Sequence, residues 1–430
     1  MSTSVLLVLI GMLVLFLLKV PVYISMPLAG VGLMAVTSGI KWGIICQYLY
    51  TGTNSFTLLS IPLFLLAAKL MNTGGITKKL FAFCMKVVGW LPGGLGHVNV
   101  LASVIFAGMS GTAVSDAGGL GTIEIQAMNE NGFDNEFSCC VTATSSTLGP
   151  IIPPSIPLVV YATVSGASVG ALFMAGIVPG LIMAAIMMAL VAIYAKIRNY
   201  PRTKFPTGHE FMHALKEGFL PLMAPAILLV GIYGGVFTPT ESAAIVVMYS
   251  LFLDCIVYKE LSLEKFLELL KETVRDAVTI ALIIAGATLF GYAATRAKLP
   301  QMILTAMTTV VHNKATLLLV INVFLLIIGC FLETASAITI VVPLIMPLLK
   351  AFDVNLTQFG IVMVLNLMIG LLTPPFGLVL FVVSKIGNIS VGRFAKALIP
   401  WMGALLIALL LITFIPQLSL WLPTALGMSV

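Results

Sequence analysis

Apolar runs long enough to enter a bilayer recur from one end of this chain to the other, and several are broken midway by glycine, serine or paired prolines. The first, Val5 to Leu18, carries no charge. A helix needs about 17–25 such residues to span hydrocarbon. Only 9% of the 430 residues are charged, against about 25% in soluble domains. The expectation is an all-α polytopic membrane protein. No basic residue precedes the first run and Lys19 follows it, the reverse of a cleaved signal peptide, so a retained first helix with an outside N-terminus is expected. The net charge of +6 fits basic loops on one membrane face and gives no reason to expect a nucleic-acid partner. Six scattered cysteines and four scattered histidines offer no CxxC and no metal cluster.

Threading from that start predicts helices over about 4–19, 22–39 and 56–72, then an amphipathic stretch with Lys78, Lys79 and Lys86. Segments 94–108 and 117–128 are each too short to cross comfortably. They read as a re-entrant hairpin turning at GMSGTAVSD (108–116). A crossing over 137–165 is interrupted by GPIIPP (149–154), and helix 6 (about 170–196) ends at the basic loop 196–210. Helices over about 219–233 and 241–258 follow, with an amphipathic surface helix over 262–272 and a span over 275–295. A second broken pair (315–332 and 335–349), a crossing over 358–388 interrupted at TPP (373–375), and helix 12 (about 398–418) complete the chain. In this threading only Lys41, Arg296, Lys298, Lys314 and Lys350 fall outside the inner face, as the positive-inside rule requires. Trp42, Trp90, Trp401 and Trp421 fall near predicted ends, where interfacial anchors belong.

The two halves share punctuation. Gly108 and Gly329 are 221 positions apart, as are Gly149 and Gly370, Pro153 and Pro374, and Pro154 and Pro375. The reading is an inverted-topology repeat with two re-entrant hairpins and two broken helices. Residues 1–200 form the first repeat (helices 1–6, hairpin 94–128, broken helix 137–165) and 201–213 a cytoplasmic linker. Residues 214–430 form the second (helices 7–12, hairpin 315–349, broken helix 358–388). Discontinuous helices of that kind meet near the midplane and build substrate and ion sites.

The breaks gather Ser110, Thr112, Ser115, Asp116, Thr142, Thr144, Ser145, Ser146, Thr147, Glu333, Thr334, Ser336, Asn366 and Thr373. Hydroxyls, amides and bared carbonyls are hard oxygen donors suited to Na⁺, and open helix N-termini suit a carboxylate. Each hydroxyl also has an ordinary use in bonding its own helix or a neighbour. Asp116 and Glu333 stand out, because an intramembrane carboxylate is costly and is a candidate for ion or gating machinery. Glu124 reads as structural. GMSG also fits an intramembrane serine protease, but no histidine is placed to serve Ser110 as a base: His97 lies about 20 Å away along a helix. GGLG (118–121) follows no strand, and no Walker motif is present. An enzyme is not expected.

The runs TNSFTLLSIPLFLLAAKLM (53–71), GMSGTAVSDAGGLGTIEIQAM (108–128), GPIIPPSIPLVVYA (149–162), GGVFTPTESAA (234–244) and TPPFGLVLFV (373–382) resemble, in order, the large membrane subunit of TRAP (tripartite ATP-independent periplasmic) transporters. That resemblance implies an elevator-type, Na⁺-driven importer in the bacterial inner membrane, with both termini periplasmic. It implies a periplasmic binding protein that delivers a carboxylate solute such as sialic acid or a C4-dicarboxylate. It also implies a small four-helix membrane subunit, expected here as a separate chain, and Na⁺ as coupling ion with no organic cofactor. By similarity, one Na⁺ site lies near Ser110, Thr112, Ser115 and Gly149, and a second near Glu333, Thr334, Ser336 and Gly370. Asp116, Ser145, Ser146, Pro153, Pro154, Asn366, Thr373, Pro374 and Pro375 are candidates for substrate binding or gating. A stand-alone Na⁺/dicarboxylate carrier of related architecture and a non-transporting scaffold are the competing readings.

Overall fold

The computed structural model describes residues 3–18, 20–37, 39–72, 74–309 and 311–430; Lys19, at the end of the first expected helix, lies outside them. Among the described residues the chain is helical, without strands. The first part runs α1 (Thr3–Leu17), α2 (Val22–Thr37), α3 (Trp42–Thr53), α4 (Ser60–Met71), α5 (Gly74–Val88), α6 (Gly94–Ser110), α7 (Ala113–Gly118), α8 (Leu120–Glu130), α9 (Asn135–Ser145), α10 (Ile156–Ser165) and α11 (Val169–Arg198). The second runs α12 (Gly208–Tyr233), α13 (Pro239–Phe252), α14 (Leu263–Arg296), α15 (Leu299–Thr308), α16 (Lys314–Gly329), α17 (Thr334–Ala351), α18 (Leu356–Gly370), α19 (Leu378–Ile386), α20 (Val391–Phe414) and α21 (Gln417–Ala425). Among the described residues six helices can cross a membrane by length and composition, or seven counting the α3–α4 pair, which is bent by 52°.

Local chemistry explains the boundaries. The FTPTE run is a helix start: Thr238 and Glu241 form a reciprocal capping box and Pro239 fills the first turn. Thr207 and Glu210 do the same for α12. α11 ends on Asn199 in the left-handed region, with Lys196 and Arg198 in the last turn facing the negative dipole end.

Several expected boundaries move. The surface helix over 262–272 and the span over 275–295 are one continuous α14, because neither glycine nor proline interrupts 263–285. Its 34 residues make about 51 Å, longer than the ~30 Å of hydrocarbon, so one end projects. α12 begins at Gly208, which makes the end of the expected 201–213 linker helical. The mixed segment Trp42–Thr53 is a helix that hydropathy alone does not mark. Trp401 is not an interfacial anchor. It is buried within α20, stacked on Tyr194 at 5.9 Å and edge-on to Phe137. Trp42 and Trp421 are exposed, as expected.

The packing is crosswise. α14 runs along α2, α3 and α4 and reaches α17, while α12 lies on α5 and α13 on α4. Inside this layer the interrupted helices interlock: α10 packs on α17, and α19 packs on α7. Each half's broken helix thus meets the other half's hairpin. α11 threads between them, touching α6, α18 and α20.

Candidate functional site

Both expected interruptions are present, and each tip is built from local capping. α6 stops at Gly111, whose φ of 63° favours glycine, and a Cβ there would lie 2.8 Å from the Pro154 carbonyl oxygen. Thr112 then caps α7, its hydroxyl accepting from the Ser115 N–H at 3.3 Å. In the second tip Glu333 caps α17, its carboxylate accepting from the Ser336 N–H at 3.2 Å and from the Ser336 hydroxyl at 3.4 Å. Thr112 and Glu333 are 221 positions apart, as are Ser115 and Ser336. The two tips are one capping motif with different cap chemistry. Glu333 therefore matches Thr112, while Asp116 is matched by Ala337.

Each tip faces a broken helix. α9 passes through a 3₁₀ turn (Ser146–Leu148) into Gly149–Pro154, and Ser155 caps α10, donating to the Pro150 carbonyl. A Cβ on Gly149 would sit 3.3 Å from the Thr112 carbonyl oxygen and 3.4 Å from that of Ser146. The first tip and the first broken helix thus bring carbonyls together at a residue without a side chain. In the second half α16 and α18 cross backbone to backbone: a Cβ on Gly329 would lie 3.2 Å from the Gly370 Cα. Thr373 spends its hydroxyl on the Ile369 carbonyl at 2.8 Å. The Pro153–Pro154 and Pro374–Pro375 bonds are both cis.

Burial separates the two. Pro153, Pro154 and Ile156 are buried, whereas Pro374, Pro375 and Phe376 are exposed. Phe376 contacts the equally exposed Phe331 with ring centroids 6.0 Å apart. Among the described residues Ser110, at 1% exposure, has a hydroxyl with no hydrogen-bond partner. Asp116, at 2%, has none for either carboxylate oxygen, with Ser103 of α6 the polar side chain facing it. Glu124 is also buried and within electrostatic reach of Asp116 and Cys84. No cation pairs with either acid among the ion pairs of the described residues. The break between α7 and α8, at the GGLG run, sits against the Asn72 side chain at the end of α4.

The other candidates divide. Ser146 bonds the Ala143 carbonyl in its own helix at 2.9 Å. Ser145 donates to the Asn99 amide oxygen at 2.7 Å, and Asn366 donates to the Asn322 amide oxygen at 2.7 Å. Those asparagines escape a reading that looks only at breaks, since both lie mid-helix. Their signal in the sequence is an amide inside an otherwise apolar run.

This arrangement matches known proteins over nearly its whole length. Residues 9–418 fit the family described as "Tripartite ATP-independent periplasmic transporter, DctM component". The chain belongs to that TRAP large-permease family. The chain is 40% identical over 403 residues to the sialic acid TRAP transporter large permease protein SiaM of Vibrio cholerae, covering 94% of each. It is 36% identical over 438 residues to the C4-dicarboxylate TRAP transporter large permease protein DctM of the same organism, covering 97% of this chain and 96% of that one. The relatives of this large permease are transporter subunits and not enzymes. Ser110 therefore belongs to a transporter hairpin and not to a protease. The crystal structure of the Alcanivorax borkumensis YdaH transporter superposes with a TM-score of 0.66, covering 94% of this chain and 98% of that one, at 13% identity; that likeness concerns the fold alone.

Proposed function

We propose that this large permease imports a small carboxylate, of the sialic acid or C4-dicarboxylate type named for its relatives, driven by Na⁺ across the bacterial inner membrane. A periplasmic binding protein delivers the solute, and a small four-helix membrane subunit braces the permease. Both termini face the periplasm. The two repeats, 1–200 and 214–430, are antiparallel about the 201–213 connection, the end of which is the first turn of α12. Helices α6–α10 and α16–α20 form the moving body of an elevator against the α2–α4 and α12–α14 layer.

The observation that carries this reading is the glycine-centred meeting of each half's broken helix with its own hairpin, Gly149 on Thr112 and Gly370 on Gly329, inside an interlock in which each broken helix also packs on the other half's hairpin. Such a junction offers inward-facing carbonyls and hydroxyls without a competing side chain, which suits a hard monovalent ion. Ser110, Thr112, Ser115 and Gly149 hold one Na⁺; Glu333, Thr334, Ser336 and Gly370 hold another. Asp116, Ser145, Ser146, Asn366, Thr373 and the two proline pairs shape the solute path between them. The unpartnered hydroxyl of Ser110 and carboxylate of Asp116 support that assignment, since a buried polar group without a partner costs about 1–3 kcal/mol unless it serves a ligand. The exposed second proline pair beside the sealed first supports alternating access.

Reconstitution into proteoliposomes tests the reading. Uptake is expected only with the small subunit, the binding protein and an inward Na⁺ gradient all present. Uptake by the large permease alone favours the stand-alone carrier. Uptake indifferent to Na⁺ removes the coupling.

A further inference from the structure

Ser145 and Asn366 are 221 positions apart, like the glycines that follow each of them by four residues. Both are fully buried, and both hydrogen-bond to an asparagine on the first arm of their own half's broken pair. The first clamp joins α6 to α9: the Asn99 amide donates to the Thr142 hydroxyl at 2.7 Å and accepts from the Ser145 hydroxyl at 2.7 Å. The second joins α16, α18 and α20: the Asn366 amide donates to Asn322, whose own amide donates to the Thr413 hydroxyl at 3.0 Å. Gln358 reinforces it, donating to the Ile412 and Thr413 carbonyls at 3.1 and 3.0 Å.

The asparagines themselves are out of phase. Asn99 and Asn322 are 223 positions apart, two more than everything else that pairs. The bond recurs in space while its residue does not recur in register, so the bond is what both halves need. Simple cohesion does not require it, because an apolar side chain of similar volume packs a helix contact as well or better. A directional amide clamp fixes what packing leaves loose: the rotation and depth of one helix against another. One helical turn, about 6 Å, beyond each clamped residue stands Gly149, which meets the Thr112 carbonyl at the first tip, or Gly370, which meets Gly329 at the end of α16.

We infer that Asn99 and Asn322 are positioning residues for the two Na⁺ sites, each holding its broken helix at the rotation that aims the carbonyls around Gly149 or Gly370 at the ion. This rests on the Na⁺-coupled reading above. The two clamps differ in reach. The first acts between one hairpin arm and one broken helix. The second also ties in α20, so its loss disturbs a longer path.

The test is Na⁺-dependent uptake by the full three-component system, read as half-saturating Na⁺, half-saturating solute at saturating Na⁺, and maximal rate. Asn99→Ala and Asn322→Ala are each expected to raise half-saturating Na⁺ about tenfold while the other two values change less than about twofold. If either variant fails to insert, Thr142→Val and Thr413→Val keep the volume and remove one bond from each clamp, with an expected rise of about threefold. Unchanged half-saturating Na⁺ alongside a lowered melting temperature makes the clamps merely structural and overturns the inference alone. Wild-type uptake indifferent to Na⁺ overturns the functional reading, and the inference with it.

Discussion

The two hairpin tips share a cap and little else. Thr112 and Glu333 occupy matched positions and bond matched serines, so the turn into the second arm is the same structure made twice. Around it the chemistry diverges. Ser110, buried and unpartnered, is matched by the exposed Phe331; Asp116, buried and unpartnered, is matched by Ala337. The first tip is sealed against buried prolines and the second stands beside exposed ones. The repeat fixes where backbone is bared, and side chains then make the two junctions unequal. The acidic group of the first tip points into the protein, while that of the second is spent on a helix terminus.

The comparison is broken most severely at the glycines. Gly370→Ala puts a methyl onto the Gly329 backbone, which has no flexible end to move, whereas Gly149→Ala meets the Thr112 carbonyl at 3.3 Å. Gly370→Ala is expected to cost about 3 kcal/mol and abolish uptake, and Gly149→Ala about 1 kcal/mol with uptake weakened. Melting of the detergent-solubilised permease and uptake assays check both. Asp116→Asn sharpens the contrast next. Removing an uncompensated buried carboxylate should leave stability unchanged or raise it by about 1 kcal/mol while uptake falls at least tenfold. Loss of stability and uptake in proportion makes Asp116 a brace for the hairpin. Glu333→Gln keeps the oxygen that caps α17 and removes its charge, so melting should stay within about 0.5 kcal/mol while half-saturating Na⁺ rises.

The smallest effect lies away from the tips, where Asp134 accepts from the Tyr200 hydroxyl at 2.5 Å and from Arg198. Those donors hold its carboxyl below the ordinary carboxylate range, the Tyr200 bond first. The stability it adds is present above the ordinary carboxylate value and is lost as pH falls through the lower folded value. The pair is half exposed, so Asp134→Asn should cost under about 1 kcal/mol at neutral pH and nothing in strong acid.

Much of this architecture is legible in the sequence because membrane burial leaves so few polar residues to explain. Paired prolines and glycines at a constant offset mark the breaks, and short apolar segments mark the hairpins. The resemblance of the ordered motifs leads to the family that comparison then establishes. What stays hidden depends on partners distant in sequence. Nothing local says that Trp401 stacks on Tyr194, or that Asn99 and Asn322 reach Ser145 and Asn366. The bend between α3 and α4 is hidden for another reason: Trp42–Thr53 is too mixed in composition for hydropathy to mark as a helix.

The central claim is that both unequal tips hold Na⁺, and the cooperativity of uptake in Na⁺ tests it most directly. The complete system should give a Hill coefficient approaching two, falling to about one when Ser110→Ala disables the first site or Ser336→Ala the second. A coefficient of one in the wild type, or one left unchanged by both substitutions, contradicts the account.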